Sequence, residues 1–97
     1  MLGGWITYDD RHVTMEEMSH QHMSNIYYFI TLIVPQYYCN STRRDILWWL
    51  DKRFDGVILP YRPVPEFKQE KQYLQLKGYL RENNEIVVGN QTIGSYA

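Results

Sequence analysis

The side chains best suited to chemistry in this 97-residue chain are His20, His22, Cys39 and the acid pairs Asp9–Asp10 and Glu16–Glu17. His20 and His22 form an H-x-H pair. On a helix they would project about 200° apart, so they could not ligate one ion. Glu16 and His20 would share a face if the chain is already helical there, but no third ligand accompanies them. No metal is therefore expected. The acids are adjacent and not opposed across a cleft. A hairpin turn and a helix N-terminus explain them better than acid–base catalysis. Cys39 follows Tyr37 and Tyr38 and has no cationic neighbour in sequence, so it reads as an inert thiol. The chain has no G-x-S-x-G, phosphate loop, dinucleotide fingerprint or H-E-x-x-H. The expectation is a protein without catalytic residues or cofactor, acting by binding.

Aromatic and arginine side chains alternate through the middle of the sequence: Tyr37, Tyr38, Arg43, Arg44, Trp48, Arg53, Tyr61, Arg62. Such a set can stack and clamp a small nucleotide. It is also what protein-binding surfaces concentrate, and the protein surface is the preferred reading. The stretch DILWWLDKRF, residues 45–54, sharpens it. As a helix it gathers Ile46, Leu47, Leu50 and Phe54 on one side, with Trp49 flanking them. Trp48 then falls on the opposite side among Arg44, Asp51 and Lys52. Trp48, Arg44 and Lys52 are therefore candidate binding residues. Tyr28 and Leu32 join them, since both lie opposite the main apolar face of the preceding helix. Either that helix is central, or these two meet something outside the fold. Tyr61 and Arg62 complete the set from Pro60-Tyr61-Arg62-Pro63, which matches P-x-x-P but reads better as an ordered connector.

These residues need elements to hold them. WITY and HVTM are β-prone runs joined by Asp9, Asp10 and Arg11, which predicts a hairpin with Asp10 in a left-handed conformation. Thr14 and Glu17 have capping-box spacing, and Ser19 offers a second N-cap. A helix is expected from about Ser19 to Val34, with Met23, Ile26, Ile30, Ile33 and Val34 on one face, and Pro35 ends it. Ser41 or Thr42 is the expected cap of the next helix, with Thr42 and Asp45 in capping-box spacing. Asp55-Gly56 stops it. VILPYRPVP must be extended, and VIL is a candidate strand. A third helix begins near Pro65 and Phe67. It carries a Tyr73, Leu76, Leu80 stripe, is weakened by Gly78, and ends at Asn83-Asn84. EIVV and QTIG flank Gly89-Asn90, a two-residue hairpin signal. The fold class is α+β: N-terminal and C-terminal hairpins, expected to share one sheet, flanking three helices in one small domain covering residues 1–97.

Composition limits the function. Hydrophobic residues make up 44% of the chain, too many for disorder. Formal net charge is −1 with no basic block, so nucleic-acid binding is not expected. One cysteine allows no intrachain disulfide and suits a reducing cytoplasm. The longest apolar run, Ile26 to Val34, is too short to span a bilayer. The first ten residues lack the features of a signal peptide, so the sequons at Asn40 and Asn90 are read as chance. A domain this small gains from self-association, and a homodimer or larger is expected.

Residues 5–25 resemble short accessory proteins of phages and prophages with the pattern W-x-T-x-D-G-x-x-I-x-I-x-x-M-x-x-x-H-L-x-N. The matching positions are Trp5, Thr7, Asp9, Asp10, Val13, Met15, Met18, His22, Met23 and Asn25. Asp10 replaces the turn glycine, and positions 13, 15 and 23 change conservatively. The resemblance implies a phage-type protein that occupies a host protein in the host cytoplasm, inhibiting or redirecting it in takeover or anti-defence. A nucleotide-signal sponge and a virion assembly component are the alternatives. Within the motif, His22 and Asn25 lie on the helix border, where they would hydrogen-bond back to the hairpin. They are the candidates for a polar site.

Overall fold

The computed structural model describes residues 2–7, 10–62 and 68–96. The order is β1 (Gly4–Ile6), β2 (His12–Thr14), α1 (His20–Tyr28), a π-helical turn (Phe29–Ile33), a 3-10 turn (Pro35–Tyr37), α2 (Asn40–Phe54), α3 (Lys68–Leu76), β3 (Glu85–Val88) and β4 (Gln91–Ser95). This is the expected α+β arrangement of two antiparallel hairpins around three helices. The expectations for Asp9, Pro63, Pro65 and Phe67 lie outside the described residues.

The hairpins do not share a sheet; each is a separate two-stranded unit. The reason is the long helix between them. One hydrophobic cluster joins Met15 and Met18 to Met23, Ile26 and Ile30 of the first helix and to Ile46 and Leu50 of α2, with Trp5 and Val13 of the first hairpin packed against it. The other joins Ile33, Val34, Tyr61, Leu74, Ile86 and Ile93, and the second hairpin packs there. The helix therefore separates two cores and serves both. Its last turn widens, and the Val34 N–H bonds to the Phe29 carbonyl five residues back at 2.8 Å. That extra residue in the turn lets Ile30 stay with the first cluster while Ile33 and Val34 reach the second. Tyr28 and Leu32 also pack against the second cluster. The helix is central, so its two apolar faces are no ground for self-association.

The local signals mostly hold at the N-terminal end. Asp10 takes φ 61° in the first turn. Thr14 Oγ1 accepts the Glu17 N–H at 3.2 Å and donates to its carboxylate at 2.9 Å. Ser19 Oγ caps α1 by accepting the His22 N–H at 3.1 Å. Arg53 then reaches from α2 and donates to the carbonyls of Met15 and Met18, pinning the intervening turn.

Three boundaries differ from expectation. α2 begins after Cys39, which holds the N-cap position without a side-chain capping bond, ahead of Ser41 and Thr42, because the 3-10 turn after Val34 brings the chain back into helix earlier. Asp45 does not complete a capping box: its carboxylate accepts the Leu2 N–H at 2.8 Å. α3 stops at Leu76, not at Asn83-Asn84. Gly78 adopts φ 76° and ends the helix by a left-handed residue, where a mid-helix glycine had been expected. Leu74 is fully buried, whereas Leu76 is exposed. The freed residues Tyr79 to Arg81 pair with β3, through Val87 N–H to Tyr79 O at 2.7 Å and Arg81 N–H to Glu85 O at 2.8 Å. Val57 to Leu59 form no strand, but Tyr61 bridges β4 through Ile93 O and Ser95 N–H. Among the described residues, no helix is long and apolar enough to cross a membrane.

Candidate functional site

Asn25 is fully buried, and its amide has a structural task. Its Oδ1 accepts the Arg62 N–H at 3.0 Å and a proton from Gln21 Nε2 at 2.9 Å. Its Nδ2 donates to the Arg62 carbonyl. The side chain thus pairs with residue 62 as a neighbouring strand would. Gln21 Nε2 also donates to Pro60 O at 2.7 Å, and Ser24 Oγ accepts the Leu59 N–H at 3.0 Å. His20 Nε2 lies 2.8 Å from Val57 O, and its ring stacks on Phe54. One face of α1 therefore staples residues 57–62, where Pro60 removes one backbone donor. The expectation that Asn25 and His22 would bond back to the N-terminal hairpin is corrected for Asn25. His22 is buried beside it in α1, with its backbone N–H on Ser19. Neither residue presents a surface polar site.

The outer face of α2 is different. Ile46 and Leu50 are buried and face α1. Trp49 is half-buried against the same cluster, and its indole N–H donates to Leu2 O at 3.0 Å. Trp48 is 41% exposed and Leu47 43% exposed. Leu47 was expected in the core, but the helix turns it outward, because the inward direction is set by Ile46, Leu50 and Arg53 together. The two tryptophans meet edge to face at 4.9 Å, and the Lys52 ammonium sits 5.0 Å over the Trp48 ring. Arg44 and Asp51 are exposed on the same face. The face is an apolar pair bracketed by charge.

The remaining candidates do not join it. Tyr61 is fully buried in the second cluster and is corrected from surface to core. Tyr28 is half-buried, edge-on to Tyr61 at 6.1 Å; burial raises its phenol pKa. Leu32 packs on that cluster too. Arg62 is exposed, but its backbone is held by Asn25. Two arginines of the alternating series, Arg43 and Arg53, are tied down. Arg43 donates to Asn40 Oδ1 and Pro35 O, and Arg53 to Met15 and Met18 O. A cleft of about 430 Å³ is lined by Tyr28, Ile58, Pro60, Glu85 and residues of β4, with no cation among its lining. The arginines and tryptophans of the alternating series do not line this cleft.

Cys39, expected from its sequence neighbours to be inert, has two hydroxyl groups beside it in the fold. The exposed thiol lies 2.8 Å from Ser41 Oγ and 3.4 Å from Thr42 Oγ1 at the start of α2. The Ser41 hydroxyl first, then the Thr42 hydroxyl and backbone, lower its pKa to about 6. The signal was present in sequence as Cys39-x-Ser41-Thr42 after a helix stop, where a cap residue meets two hydroxyls. Among the described residues no group of three or more His, Cys, Asp or Glu could hold a metal. No protein-family model, curated protein or solved structure matches this chain.

Proposed function

We propose that this protein acts by binding another protein, and that the outer face of α2 is its contact surface. The observation that carries this reading is the division of labour between neighbouring tryptophans. Trp49 packs inward and caps Leu2 with its N–H, while Trp48 stays 41% exposed beside an equally exposed Leu47. Beyond the Trp48 contacts with Trp49 and Lys52, an exposed apolar pair on a charged helix adds little to folding, and Trp with a neighbouring Arg is the composition of binding hot spots. The resemblance of residues 5–25 to phage and prophage accessory proteins supports the class of partner: a host protein in the host cytoplasm, which is inhibited or redirected.

The test uses wild-type protein and Trp48→Ala as baits in bacterial lysate. The reading expects one stoichiometric host protein on the wild type, lost with Trp48→Ala at unchanged thermal stability. Equal capture by both baits would move the contact surface elsewhere.

A further inference from the structure

The exposed residues of α2 have an order that says more than their composition. Arg44, Leu47, Trp48 and Asp51 are all exposed and fall at i, i+3, i+4 and i+7, so they form one stripe along the helix. Within the stripe Arg44 is positive at the N-terminal end, Leu47 and Trp48 are apolar in the middle and Asp51 is negative at the C-terminal end, with the neighbouring Lys52 ammonium lying over the Trp48 ring. Such a stripe is complementary to itself in one orientation only. Laid antiparallel on a copy about a two-fold axis between Leu47 and Trp48, it places each Trp48 on the other copy's Leu47. Each Arg44 then faces the other copy's Asp51, twice over. Laid parallel, it sets arginine on arginine and aspartate on aspartate.

We infer that the outer face of α2 is closed by a second copy of this chain, with the two α2 helices packed antiparallel in an isologous dimer. This rests on the reading of that face as a contact surface and names its occupant in the absence of another partner. Closed two-fold symmetry follows, because every contact is made twice by the same patch. Burial of Leu47 and Trp48 supplies the attraction, and the paired charges set the orientation. One helix per copy makes a small interface, so the dimer is reversible, with a dissociation constant on the order of tens of micromolar. A protein partner that takes the same face would compete with the dimer.

The test is sedimentation equilibrium of the full chain over a concentration series, with melting curves as a folding control. Wild type is expected to dimerise. Arg44→Asp alone and Asp51→Arg alone each set like charges against one another and should weaken the dimer at least about tenfold. The double variant Arg44→Asp/Asp51→Arg restores both opposite-charge pairs and should recover it. As a measurement on unaltered protein, dilution should shift the Trp48 indole N–H resonance while the Trp49 resonance, fixed on Leu2, stays in place. A wild type that remains monomeric at several times that concentration overturns the inference. So do single reversals that leave the dimer intact, or a double variant that fails to recover it. Loss of the dimer with host-protein capture retained would refute only the self-pairing. Dimerisation without capture would refute only the host-binding proposal.

Discussion

A buried amide stabilises a fold only when each of its polar groups is met, and Asn25 meets that condition through one backbone residue, Arg62, and Gln21. Removing it would strand the Arg62 N–H and carbonyl against α1. Asn25→Ala should therefore cost about 2–3 kcal/mol in urea melts, and proteolysis should begin within 57–62. Cys39 gives a second prediction at this scale. A thiol with a pKa lowered to about 6 is mostly thiolate at neutral pH. Alkylation by iodoacetamide should rise with pH through a midpoint near that value. Ser41→Ala removes the largest cause and should move the midpoint upward. A midpoint near the ordinary thiol value in the wild type would show that the hydroxyls do not hold the thiolate.

At the scale of elements, close approach between segments governs what the second hairpin tolerates. A Cβ on Gly94 would lie 1.8 Å from the Tyr61 carbonyl oxygen, with more Tyr61 backbone within 2.8 Å. Backbone cannot swing aside as a side chain can, so Gly94→Ala must break the bridge between Tyr61 and β4. It should destabilise by more than about 3 kcal/mol, while Gly3→Ala, with open space around it, should be near neutral. Equal melting temperatures for the two would contradict the bridge. Much at this scale was legible in sequence because it is local. Asp10 in its turn, Ser19 at its cap and Gly89 in its hairpin each follow from their own chemistry. The errors came where distant chain decides. Gly78 reads as a weak helical residue until Tyr79 to Arg81 are seen pairing with β3. Asp45 reads as a cap partner until Leu2 claims its carboxylate. Tyr61 reads as a surface aromatic until the second cluster closes around it.

At the scale of the whole molecule, two cores share one helix, and this decides which surfaces remain for binding. Tyr28 and Leu32, apolar on the far side of α1 and its extension, are taken up by the second core. Among the described residues, the exposed stripe of α2 stays available, as do Ile6, Tyr37, Val57 and Leu76 elsewhere on the surface. Helical spacing separates Trp48 from Trp49, but it does not place Leu47, because a shift of only about 50° in the inward direction, half of one residue's step, exchanges Leu47 for Arg53. The central claim is that Trp49 serves the fold and Trp48 serves contact. The most direct measurement is a pair of urea melts on Trp48→Ala and Trp49→Ala, each read beside self-association by sedimentation equilibrium. Trp49→Ala should lose about 2–4 kcal/mol of folding stability, since a half-buried indole with a bonded N–H is removed. Trp48→Ala should lose under about 1 kcal/mol in folding yet weaken association by at least about tenfold. Equal losses of folding stability, with association unchanged in Trp48→Ala, would contradict the division and return Trp48 to the core.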